Sequence, residues 1–109
     1  MSGDDSNGIK NALNNLNKLL GHRTRLGICV LLARHTALSF SRLKELLEET
    51  DGSLGAQLRK LEDEGFISVK KEFKNRKPVS WYCLTEQGQS GLEKHLDALT
   101  QLINRKKLT

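Results

Sequence analysis

This chain of 109 residues has little cysteine, a single proline and no long apolar run, and each shortage excludes something. Cys29 and Cys83 have neither metal-ligand spacing nor a pairing signature, so no disulfide framework or cysteine zinc site is expected. Cys29 falls in an apolar stretch, where a free thiol behaves as a small hydrophobe, and both cysteines suit a reducing cytoplasm. The longest apolar stretch, around Ile28 to Ala33, is far too short to span a bilayer, so no membrane partner is expected. The acidic, polar start from Met1 to Gly8 lacks the charged-then-apolar order of a signal peptide. His22, His35 and His95 are scattered, and no HExxH, CxxC, GxSxG or phosphate-loop pattern occurs. Ser39 and Ser41 have no neighbouring base. No catalytic constellation, metal site or cofactor is expected, and a chain of this length builds a modest core rather than a deep catalytic cleft.

Positive charge is what the chain has in excess. Its net charge is +5, which favours a polyanionic partner. The placement is more informative than the total. Lys70, Lys71, Lys74, Arg76 and Lys77 fall in one short segment, opposed there only by Glu72.

Hydrophobic spacing divides the chain. Residues 1–7 carry no apolar residue after Met1 and read as a disordered tail, leaving 8–109 as a single domain. Ile9, Leu13, Leu16 and Leu20 form the stripe of a first amphipathic helix that Gly21-His22 ends. A second helix from about Arg23 to His35 is apolar nearly all round, as a central buried helix should be. Phe40, Leu43 and Leu47 mark a third helix with Ser39 as its N-cap. Leu54, Leu58 and Leu61 mark a fourth, capped by Thr50 or Asp51 and stopped at Glu64-Gly65. The period then shortens to two across Ile67 and Val69, a basic turn follows from Lys70 to Pro78, and Trp81, Tyr82 and Leu84 form the returning strand. Pro78 lies where this return need not donate to a ladder. Thr85 caps a last helix with Leu92, Leu96, Leu99 and Ile103, and Arg105, Lys106 and Lys107 at its end suit the helix dipole. The fold class is mainly α with a small β-hairpin.

The helix pair between Ser39 and Glu64 has the form of a helix-turn-helix, and a hairpin able to touch phosphates follows it. On the fourth helix, Ser53, Ala56, Gln57 and Lys60 recur at i, i+3, i+4, i+7 away from the leucines. Ser and Gln can hydrogen-bond base edges, Ala can touch a thymine methyl, and Lys can reach guanine or phosphate. Arg59 lies to one side, toward the DNA backbone. Any surface helix has a polar stripe; the basic hairpin is what gives this one meaning. Lys74, Asn75, Arg76 and Lys77 occupy the hairpin tip, where positive charge adds affinity and salt dependence.

From Phe40 to Gly88 the chain resembles the winged helix-turn-helix of bacterial and archaeal transcriptional regulators of the ArsR and MarR type. The matching pieces are Arg25-Leu26-Gly27-Ile28 opening the central helix, Phe40 to Leu47, Leu54 to Glu62, and Gly65-Phe66-Ile67-Ser68-Val69. The wing Lys71 to Pro78 and the closing Trp81 to Gly88 follow in order. The resemblance implies a homodimer that binds double-stranded operator DNA and controls a promoter. It lacks the paired cysteines that metal-sensing ArsR members carry near the first helix of the motif, so metal sensing is not implied. Gly52 and Gly55 weaken the fourth helix by roughly 1 kcal/mol each against Ala. Glu48, Glu49 and Asp51 suit that helix's dipole but repel phosphate.

Dimerisation is expected through the terminal helices. Ile9, Leu13, Leu16 and Leu20 share the i, i+4, i+7, i+11 spacing of Leu92, Leu96, Leu99 and Ile103, and Leu19 and Leu102 widen both stripes beyond what one domain needs. No residue points to a particular small-molecule effector. A second possibility is a winged-helix module that docks another protein without reading DNA, which would more naturally expose apolar residues on the wing.

Overall fold

The computed structural model describes residues 3–103, with side chains from residue 8. Arg105, Lys106 and Lys107 lie outside the described residues. The element order is α1 (Gly3–Asn14), a 3₁₀ turn (Lys18–Gly21), α2 (Arg23–Arg34), β1 (Leu38–Ser39), α3 (Phe40–Leu47), α4 (Asp51–Asp63), β2 (Ile67–Lys74), β3 (Lys77–Leu84) and α5 (Glu86–Ile103). Helix α1 begins inside the segment expected to be a tail.

The stripe from Ile9 to Leu20 is not one helix. It breaks after Asn14, where a run of asparagines offers the backbone competing hydrogen bonds. Asn17 is extended, and its Oδ1 accepts from the Leu19 amide at 2.8 Å. The Asn17 amide donates to Nδ1 of His95 on α5 at 2.9 Å. The break swings Leu20 inward, where it is 1% exposed.

Helix α2 runs through the core with Ile28, Cys29 and Leu32 buried. His22 caps it, Nδ1 accepting from the Thr24 amide at 3.1 Å. Ser39 and Thr50 cap α3 and α4 as expected, each hydroxyl accepting an amide at 3.1 Å. Asp51 pairs with Lys44 instead, at 2.9 Å. Between α3 and α4 the chain turns through Glu48 in the left-handed region (φ 53°). At the end of α4 the left-handed residue is Gly65 (φ 80°), and the Phe66 amide returns to the Leu61 carbonyl at 2.9 Å.

Strand β1 pairs with β3 through Leu38↔Tyr82 and Ser39↔Trp81, giving an antiparallel sheet in the order β1-β3-β2. Two residues are too few for a period-2 signal, so this strand was invisible in the pattern. Leu43, Leu54, Leu58, Leu61, Ile67 and Tyr82 join α2 and Leu92 in one core. Burial pushes the Cys29 thiol up to about 12, so it stays protonated and inert at neutral pH.

Helix α5 is seated on the end of the sheet. Thr85 Oγ1 donates to the Gly65 carbonyl at 2.6 Å and accepts from the Gly88 amide at 2.9 Å. Gly88 and Gly91 face Phe66 so closely that a Cβ would lie 2.1 Å from its carbonyl oxygen and 2.5 Å from its ring, respectively. Further along, α5 packs against α1, with Ala12 and Ala98 both buried.

Candidate nucleic-acid interface

The core leucines of α4 dictate which of its residues meet solvent. With Leu54, Leu58 and Leu61 inward, the residues of α4 exposed to solvent are Asp51, Gly52, Ala56, Arg59, Lys60, Glu62 and Asp63. Ala56, Arg59 and Lys60 are thus placed where a polyanion could reach them. Ser53 and Gln57 are half-buried on the flank toward α2, and both are engaged within the molecule. Ser53 Oγ donates to Glu49 Oε1 at 2.8 Å, and Gln57 Oε1 accepts from Arg25 Nη1 at 2.7 Å.

Glu49 is better occupied than its sequence position suggests. Its second oxygen accepts from Thr24 Oγ1 at 2.7 Å, so one carboxylate bonds both the first turn of α2 and the first turn of α4. These two hydroxyl donors hold its pKa below the usual carboxylate range, Thr24 contributing most. Arg25 forms a second tie. Its Nε donates to the Leu19 carbonyl at 2.6 Å while Nη1 holds Gln57. Helix α4 is therefore fastened to α2 by polar bonds near both Ser53 and Gln57, beside the leucine contacts.

On the hairpin, Lys74 and Lys77 pair across a two-residue turn. Asn75 and Arg76 are both left-handed, at φ 54° and 66°, as the tightest hairpin turn requires. Asn tolerates that region; Arg at the second position, where glycine is preferred, is strained by roughly 1–2 kcal/mol. All four tip residues are exposed. Arg59 and Glu62 of α4 and Lys71 of β2 line one cleft of about 350 Å³, together with Gly55 and Val69. The wing thus rises beside the exposed face of α4.

Residues 24–103 match the winged helix DNA-binding domain family. The chain belongs to that family. It is 31% identical over 85 residues to an uncharacterized protein of Methanocaldococcus jannaschii, MJ0432, covering 78% of this chain and 92% of that one. Among solved structures, a transcriptional regulator homologue from Pyrococcus horikoshii OT3 matches with a TM-score of 0.78 at 27% identity, over 89% of this chain and 94% of that chain. Wild-type apo MarR of E. coli matches with a TM-score of 0.62 at 17% identity, over 99% and 87% of the two chains, a likeness of fold. The matched family is one of DNA-binding domains, and the Pyrococcus horikoshii neighbour is a transcriptional regulator homologue. Among the described residues, no helix is long and apolar enough to cross a membrane.

Of the residues expected to face a second copy, the structure leaves Leu13, Leu96 and Ile103 exposed and Leu16 and Leu99 half-buried. Leu20 and Leu92 belong elsewhere: both lie in the chain's own core, Leu92 at 3% exposure, and cannot reach a partner. Ile9, at 51%, joins the exposed set. What the sequence did not disclose in this winged helix domain are the long-range ties. Arg25 and Glu49 lie 32 and 25 residues in sequence from Gln57 and Thr24, and no local pattern pairs them.

Proposed function

We propose that this chain is a sequence-specific DNA-binding transcriptional regulator that acts as a cytoplasmic homodimer. In this reading α4 enters the major groove, with Ala56, Arg59 and Lys60 leading and Ser53 and Gln57 on its flank. Lys74, Asn75, Arg76 and Lys77 meet the phosphate backbone or the minor groove. The observation that carries it is the shared cleft of Arg59 and Lys71, which sets the cationic wing beside the exposed face of α4. The fold of a transcriptional regulator homologue supports it. Ile9, Leu13, Leu96, Leu99 and Ile103 supply the apolar face for a two-fold partner, which would set two α4 helices about 34–36 Å apart on a pseudo-palindromic site.

Selection of bound sequences from random duplex DNA at a stated salt concentration tests this. A recovered inverted repeat is the expected outcome; retention with no sequence enrichment would overturn specific recognition. One observation favours the second reading, a module that docks protein: Phe73 on the wing is 78% exposed.

A further inference from the structure

We infer that Phe73, together with Pro78 opposite it, forms an apolar pad by which the wing packs into the minor groove of DNA, against deoxyribose and a base step. The inference rests on the DNA reading above and assigns to DNA the one wing side chain that reading leaves unexplained.

Alternation along β2 places Phe73 on the same sheet face as Ile67, Val69 and Lys71. Ile67 is buried in the core, and Val69 and Lys71 line the cleft against α4. Phe73 continues that face out along the hairpin, where it is 78% exposed and packs on none of the described core residues. Its cross-strand partner is Pro78. Lys74↔Lys77 closes the turn as a hydrogen-bonded pair, so Phe73↔Pro78 is the next, non-hydrogen-bonded pair, in which side chains lie closest. Pro78, having no N–H, suits that position without loss. An exposed ring and an exposed pyrrolidine therefore meet at the wing.

Charge decides the occupant. Lys71 shares the face of the pad, and Arg76 stands at the turn beyond it. Lys74 and Lys77 project from the opposite face of the same two-stranded ribbon, with Glu72 the only acid on the hairpin. An apolar protein surface gains nothing from a ribbon that carries cations on both faces and at its turn. A minor groove offers both requirements at once: phosphates on its two walls for the cations, and sugar and base edges on its floor for the ring. Apolar side chains placed against base steps are a known device of minor-groove binders.

The pad contributes affinity without releasing counterions, and this separates it from its basic neighbours. Binding of the full chain to a labelled mixed-sequence duplex, followed by anisotropy across a salt series, provides the test. Phe73→Ala should bind about tenfold more weakly at every salt concentration, with the slope of log affinity against log salt unchanged. Phe73→Leu should recover much of the loss, and a minor-groove-binding drug should compete with the wild-type chain more than with Phe73→Ala. Phe73→Thr, which keeps strand propensity, repeats the measurement should the alanine variant lose its fold. Wild-type affinity in both variants overturns the assignment and returns Phe73 to the protein-docking reading. A loss accompanied by a flattened slope also overturns it, since the wing's cations would then have moved. A wild-type chain that binds no duplex overturns the DNA reading itself, and this assignment with it.

Discussion

Arg25 Nη1 donates to Gln57 Oε1 at 2.7 Å, so the amide of Gln57 has a fixed orientation before any ligand arrives. One of the two acceptor sites on Oε1 is taken, and the NH₂ is left to donate. Gln57 then meets a base chiefly as a donor, and the two-point grip on adenine that a free glutamine makes is weakened.

Gln57→Ala should relax discrimination at one base step by about 1 kcal/mol, the worth of one ordinary hydrogen bond. Arg25→Lys keeps the charge but loses the fork, and should relax the same step. The double variant should do little more, because the two residues act as one unit. Bound-sequence selections on all three check this; an equal loss across all sequences would make Arg25 a phosphate contact.

The turn of the wing trades stability for charge. Arg76→Gly removes a side chain from a left-handed position and should raise the thermal midpoint by a few degrees, an effect of about 1 kcal/mol. The same change should weaken DNA binding and flatten the salt slope by about one unit. Calorimetry and a salt titration on one variant read both effects.

Two glycines should answer alanine in opposite directions. At Gly55 a Cβ meets nothing, so Gly55→Ala should stabilise α4 by up to about 1 kcal/mol. At Gly88 a Cβ would strike the Phe66 carbonyl, so Gly88→Ala must push α5 off the sheet and should destabilise the domain by several kcal/mol. Denaturant midpoints give both signs.

Leu13→Glu with Leu96→Glu alters two exposed positions and should leave a folded chain. Light scattering at micromolar concentration should show a dimer for the wild type and a monomer for this variant, with weaker DNA binding. Leu92→Ala, by contrast, hollows the core and should cost roughly 2–5 kcal/mol of stability.

His95 should make stability depend on pH. Burial holds its pKa below the ordinary value of 6.5, and Nδ1 accepts from the Asn17 amide, which only the neutral ring can do. The unfolded chain therefore binds a proton more readily than the folded one. The contribution is fully present above 6.5 and is lost as pH falls from there through the folded-state value. Thermal midpoints across that range should fall for the wild type and fall less for His95→Gln, which lacks the titrating ring.

The order of helices and hairpin was legible because each element carries its own period and cap: Ser39, Thr50 and Thr85 announce their helices, and Leu54, Leu58 and Leu61 fix the inward face of α4. The break after Asn14 was not legible, since leucines at Leu16 and Leu20 keep helical spacing across it. The asparagines that compete for the backbone there are local, but the bond that holds the broken segment runs to His95, 78 residues away. The expected groove face was half visible for a similar reason. Spacing placed Ser53 and Gln57 beside Ala56 and Lys60, but their inward partners Glu49 and Arg25 come from other turns of the fold.

From Lys70 outward, every residue of β2 is exposed, so the outer wing is held by its cross-strand ladder and by no core. Its ladder amides, which alternate along this edge strand, should consequently exchange with solvent deuterium through brief local openings, slowest at Ser68 and progressively faster through Lys70 and Glu72 to Lys74. Closing that gradient is work left for the partner. A duplex gripping the tip would have to slow exchange most at Lys74 and Glu72, where the free ladder opens most readily.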